Sequence, residues 1–142
     1  SRFVGATPDT ADIELLLRGI CAEIGRVYDE VAAPPSGYQA LEKEFHRQIA
    51  AATPSKPLYI FIDGLDQIDI RDTGALLPWL PRHLPDAARL VVSVLDDPTP
   101  AGDRLRTIRG LLPESAFVTL EPLSLADAGR LLDVPLRTPT RV

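Results

Sequence analysis

Two aspartates stand three residues apart directly after an unbroken apolar run, in Leu58-Tyr59-Ile60-Phe61-Ile62-Asp63-Gly64-Leu65-Asp66. The run reads as a strand buried on both faces, since a half-exposed strand would alternate apolar with polar. Asp63 then emerges at the strand's C-terminal end, where open α/β sheets place their ligands. A carboxylate there suits a hydrated Mg²⁺ ion and the phosphates it carries, or else caps the following loop. Gly64 lacks a Cβ and lets a phosphate or a metal-bound water approach the backbone closely. Asp66 is either an acid that orients an attacking water or a solvated loop residue. Ser93 interrupts the second apolar run, Arg89 to Leu95. Its hydroxyl either faces a terminal phosphate or is satisfied by neighbouring backbone. Asp69 and Asp72 continue the spacing of three and read as helix-start caps.

Other chemistries find less support. Haloacid-dehalogenase-type phosphotransfer wants two acids one residue apart after the strand, and the spacing here is three. His46 and His83 have no further His, Cys or paired acid at ligand spacing, which argues against zinc. No Ser-His-Asp set assembles, and Gly-x-Ser-x-Gly is absent. The phosphate cradle Gly-x-x-x-x-Gly-Lys-Ser/Thr is also absent from these residues. Lys43 and Lys56 are the only lysines, and neither follows a glycine. A net charge of −5 disfavours a nucleic-acid surface, which needs clustered Lys and Arg. No apolar run nears the roughly 18 residues of a membrane helix, and no signal pattern opens the chain. The single cysteine, Cys21, fits buried filler in a reducing cytoplasm.

The elements that would position Asp63 and Ser93 alternate along the chain. The pattern predicts a short strand at Arg2 to Gly5, then a helix started by Thr7-Pro8-Asp9. Its apolar stripe is Ile13, Leu16, Leu17, Ile20, Ile24 and Val27. A loop from Ala32 to Gly37 precedes a second amphipathic helix carrying Tyr38, Leu41, Phe45 and Ile49. After the strand Leu58–Ile62 come a short helix at Thr73 to Leu80, a strand at Arg89 to Leu95 and a helix at Leu105 to Leu112. A further strand spans Ala116 to Leu120, and Ser124-Leu125-Ala126-Asp127 caps a helix through Leu132. The residues from Pro135 onward have little pattern. Such alternation implies an α/β fold with a mainly parallel sheet. At 142 residues there is room for one domain with a real core. The absence of methionine, and an opening that looks like a strand already under way, lead us to read the chain as an excerpt of a longer protein.

The residues also carry a family resemblance. Arg2-Phe3-Val4-Gly5-Ala6-Thr7-Pro8-Asp9-Thr10, followed by Leu15-Leu16-Leu17-Arg18, resembles the segment after the P-loop in NACHT-type STAND ATPases, in a nephrocystin-3-like and bacterial multidomain flavour. Phe61-Ile62-Asp63-Gly64-Leu65-Asp66-Gln67 looks like the NACHT Walker B motif. Trp79-Leu80-Pro81, Leu84-Pro85 and Arg89-Leu90-Val91-Val92-Ser93 resemble the path to the sensor-1 strand. The resemblance covers Ser1 to Leu132. It implies a partial P-loop NTPase domain over residues 1–133 with a loose tail at 134–142. Asp63 would be the Mg²⁺ residue, Asp66 the catalytic or water-positioning acid, Ser93 the sensor-1 position, and Gly64 part of the cofactor site. The implied cofactors are ATP/ADP and Mg²⁺. Gln67 and Leu95 stand where the family often has an acid and an arginine, which bears on hydrolytic rate. The family's strand order, 5-1-4-3-2, implies that strands 2 to 5 are present here and that the P-loop strand is missing.

Three functions compete at this point. The first is the Walker B and sensor-1 half of a slow ATP/ADP-dependent signalling switch, cytoplasmic, with protein partners through flanking domains and a homo-oligomer as a family implication. The second is a degenerate P-loop domain serving as a non-catalytic interaction module. The third is an aspartyl phosphoacceptor, with Asp63 taking a phosphoryl group. With its P-loop strand missing, the chain alone is expected to be marginal or sticky, and without the cradle it is expected to bind ATP poorly.

Overall fold

In a computed structural model of the chain, residues 2–3, 12–29, 32–68, 77–96 and 103–136 are described. By contacts they fall into two units, one through Leu112 and one from Pro113. The first contains a parallel sheet of β1 (Arg2–Phe3), β2 (Leu58–Asp63) and β3 (Ala88–Val92), in the order β1-β2-β3. Its register pairs Arg2 with Ile62 on one side of β2 and Leu58 with Ala88 through Ile62 with Val92 on the other. Two helices, α1 (Ile13–Val27) and α2 (Tyr38–Ala50), pack on each other between β1 and β2 in sequence. The short α3 (Asp103–Arg109) follows β3. The architecture is therefore mixed α/β with a small parallel sheet.

Helix α1 starts where Asp12 caps it, the carboxylate accepting from Glu14 N–H at 2.7 Å and Leu15 N–H at 3.2 Å. The cap expected at Thr7-Pro8-Asp9 lies outside the described residues. Ile13, Leu16, Leu17, Ile20 and Ile24 are buried as the helical spacing predicts. Val27 departs from the stripe and is 71% exposed, because the helix ends there and turns away through Tyr28 and Asp29. Helix α2 begins at Gly37, whose φ of 87° suits a residue without Cβ. No side chain of its own caps it. Instead Glu14 of α1 accepts the Gly37 N–H at 3.1 Å while pairing with Arg18 at 3.0 Å. Gln48, buried on α2, donates to the Cys21 carbonyl of α1 at 3.2 Å. These polar ties join α1 to α2 and to its N-terminus, beside the apolar stripes.

The chain reaches β2 through a tight turn, with Thr53 and Lys56 exchanging backbone hydrogen bonds at 2.9 and 3.1 Å. The Tyr28 hydroxyl donates to the Lys56 carbonyl at 2.7 Å, tying the end of α1 to the start of β2. Leu41, Phe45 and Ile49 are buried on α2. The Phe45 ring stands 6.2 Å from that of Trp79, and His46 Nε2 bonds the Trp79 carbonyl at 2.9 Å. Fully buried Trp79 thereby joins the β2–β3 connection to α2.

Several expectations need correction. Strand β2 is not buried on both faces: Leu58, Ile60 and Ile62 are buried, whereas Tyr59 is 64% and Phe61 51% exposed. An unbroken apolar run shows that both faces tolerate burial, and only the packing of other elements decides which face receives it. The helix expected at Thr73 to Leu80 is not helical over its described part: Leu77 has a φ of 43°, and Leu80 N–H closes a turn on the Leu77 carbonyl at 3.0 Å. The rest of that segment, with Asp69 and Asp72, lies outside the described residues. Strand β3 stops at Val92 rather than Leu95.

The second unit holds a 3₁₀ turn at Glu114–Ala116 and helix α4 (Leu125–Leu136). The strand expected at Ala116 to Leu120 does not form. Ala116 and Phe117 N–H bond back to Pro113 and Glu114, and Val118 and Leu120 are exposed in irregular backbone. A strand needs a partner for its backbone groups, and none is present there among the described residues. Ser124 caps α4 as expected, accepting Asp127 N–H at 3.1 Å. The helix runs past Leu132 to Leu136, so Pro135 sits in its last turn.

Candidate functional site

Asp63, Gly64 and Asp66, read along the sequence as one strand-end motif, and Ser93, read as a polar interruption of the second apolar run, come together at the C-terminal edge of the parallel sheet. Asp63 is the last residue of β2, and its outward register leaves it exposed. The chain then turns sharply at Gly64, in the left-handed region at φ 76° and ψ 44°. A 3₁₀ turn, Leu65–Gln67, follows, with Leu65 buried beneath it. Glycine is the residue that enters this conformation without a Cβ penalty.

The continuation of β3 holds this turn in place. Beyond the strand proper, Ser93 N–H still donates to the Ile62 carbonyl at 2.9 Å, and Leu65 N–H donates to the Ser93 carbonyl at 2.9 Å. Between these backbone bonds the Ser93 hydroxyl donates to Asp63 Oδ1 and accepts the Gly64 N–H at 2.9 Å. Two residues on, Leu95 N–H donates to Asp66 Oδ1 at 3.0 Å. Both carboxylates are thus oriented from the neighbouring strand, one by a side chain and one by a backbone amide.

For the first contact, a lone serine in an apolar strand signals a directed hydroxyl, aimed either at a phosphate or at neighbouring backbone. The Gly64 N–H is such a backbone partner, whereas the Asp63 carboxylate is not among those expected partners. The second carried no such signal, because every residue except proline presents the same amide as Leu95. Gln67, in the same turn, is exposed.

An exposed carboxylate at a strand end, with a Cβ-free residue next to it, fits a Mg²⁺ ion held largely through water and phosphate oxygens. Magnesium typically uses one or two protein carboxylates and keeps several waters. Among the described residues no three His, Cys, Asp or Glu side chains cluster, so a cage supplied wholly by side chains has no basis here. His46 and His83 line one open, mainly apolar hollow of about 250 Å³ together with Ile49, Pro81, Arg82 and Pro85. That hollow includes neither Asp63 nor Ser93. Among the described residues no helix is long and apolar enough to cross a membrane.

The chain is 30% identical over 122 residues to human NACHT and WD repeat domain-containing protein 2, covering 85% of this chain and 7% of that protein. Its mouse counterpart is 29% identical over the same length. Mouse telomerase protein component 1 is 30% identical over 113 residues, covering 76% of this chain and 4% of that protein. The chain thus spans less than a tenth of the curated relatives it matches. No protein-family model and no solved structure matches it. The likeness to NACHT-named proteins extends over most of the chain and supports a NACHT link.

Proposed function

We propose that this chain supplies the Walker B and sensor-1 half of a NACHT-type nucleotide site, within a slow ATP/ADP-dependent switch. The observation that carries the reading is the joining of Asp63, Gly64 and Ser93 at the C-terminal ends of adjacent parallel strands. That edge is where sheets of this class bind ligands. The β1-β2-β3 order agrees with the part of the NACHT order in which strands 2, 3 and 4 are neighbours. Similarity to proteins named for a NACHT domain supports the same assignment.

In this reading Asp63 holds Mg²⁺ through water, and the bound ion neutralises phosphate charge. Gly64 leaves room for that hydrated group. Asp66 keeps one oxygen on the Leu95 amide and presents the other to a hydrolytic water. Ser93 belongs to the same site through its contact with Asp63. Gln67 in the turn, in place of a further acid, suits slow turnover.

The test is Asp63→Ala in the full-length protein. Mg²⁺-dependent ATP turnover should fall by at least about tenfold, in line with the loss of an outer-shell partner of the metal. Unchanged turnover would remove Asp63 from the site. Transfer of label from acetyl phosphate to Asp63 would instead favour phosphoacceptor chemistry.

A further inference from the structure

The Ser93 hydroxyl has one proton to give, and it gives it to Asp63 Oδ1. It also takes the Gly64 N–H, so the same oxygen grips the carboxylate and the backbone that carries it. We propose that Ser93 is a positioning residue that sets the orientation of the Asp63 carboxylate toward Mg²⁺, acting through Asp63 and not on the nucleotide's phosphate. This rests on the Mg²⁺–nucleotide reading above and gives Ser93 a specific task within it.

The surrounding bonds separate that task from a structural one. Without the hydroxyl, the turn would still be held by Ser93 N–H on Ile62, Leu65 N–H on the Ser93 carbonyl, and Leu95 N–H on Asp66. Gly64 N–H lies in an exposed environment and can turn to water. The backbone path therefore survives a change to alanine, and the free rotation of the Asp63 side chain is what changes. Partners that orient a metal-binding carboxylate typically govern metal affinity by 10- to 100-fold.

The experiment measures binding of a fluorescent, non-hydrolysable ATP analogue to the full-length protein, with and without Mg²⁺. Ser93→Ala should raise the Mg²⁺ concentration needed for half-maximal enhancement by about tenfold. Nucleotide affinity in EDTA should fall by a smaller factor than the Mg²⁺ response, and the thermal midpoint should stay as in the unmodified protein. Ser93→Thr, which keeps a hydroxyl, should restore the Mg²⁺ response. The proposal is overturned if Ser93→Ala leaves the Mg²⁺ response unchanged. It is equally overturned if the variant weakens binding in EDTA by the same factor, since the hydroxyl would then serve the nucleotide directly. If the unmodified protein shows no Mg²⁺-dependent binding, the nucleotide reading itself fails and takes this role with it. A normal response in the unmodified protein and in Ser93→Ala alike defeats the role of Ser93 alone.

Discussion

Cys21 illustrates how a single side chain reports its surroundings. It sits on the inner face of α1, buried, with its own carbonyl held by Gln48. Burial pushes its thiol up from 9.0 to about 11, and the nearby Glu44 charge adds to the effect while Arg47 opposes it. The thiolate is the reactive form, so native Cys21 should resist iodoacetamide at pH 8 and label on denaturation. Equal labelling rates in the two states would show that the α1–α2 interface opens readily. The same shift has a pH consequence. Between pH 9.0 and about 11 the unfolded chain has lost the Cys21 proton while the folded chain keeps it, so stability falls as pH rises through that window. Glu44 is lowered chiefly by its hydrogen bonds from Arg47, at 2.8 Å, and contributes in the opposite sense, losing its part as pH falls. The Glu44–Arg47 pair is partly exposed, and its effect is correspondingly small.

At the scale of elements, the turn from β2 into the Leu65–Gln67 helix is the feature most sensitive to one atom. Gly64→Ala should destabilise the fold by roughly 1–2 kcal/mol, the usual cost of an L-residue in the left-handed region. Gly64→Asn should lose less, because asparagine visits that region more readily. An unchanged denaturation midpoint for the alanine variant would mean that the turn relaxes. The existence of α1, α2, β2 and β3 was legible from apolar period and length. So was the serine cap of α4 at Ser124. What misled were runs whose composition permits more than one outcome. Val91 and Val118 both stand in apolar, β-prone stretches. The first lies in a strand because Phe61 of β2 is there to pair with it, and the second is irregular because no described strand lies opposite. Leu77 to Leu80 reads as a helix end by composition, yet the burial of Trp79 against Phe45 and the Trp79 carbonyl on His46 accompany a turn.

For the molecule as a whole, the exposed face of β2 and β3 is the chief liability. Tyr59, Phe61 and Val91 stand exposed on it, and β3 is an edge of the described sheet. Apolar surface beside an unpaired strand edge invites association. The chain expressed alone should therefore self-associate, and the double variant Tyr59→Lys, Phe61→Glu should shift it toward monomer in light scattering on a sizing column. A monomeric, cooperatively melting parent chain would contradict this. The sequence by itself determined the long helices α1 and α2, the strands β2 and β3 and the candidate polar residues, because periodicity and side-chain chemistry are local properties. It also placed Asp63 at a strand end. Only the tertiary structure decided that β2 is covered on one face, and that Ser93 and the Leu95 amide, about thirty positions away along the chain, reach Asp63 and Asp66. Those contacts depend on the parallel register of β2 with β3, and register is a relation between segments that neither segment encodes alone.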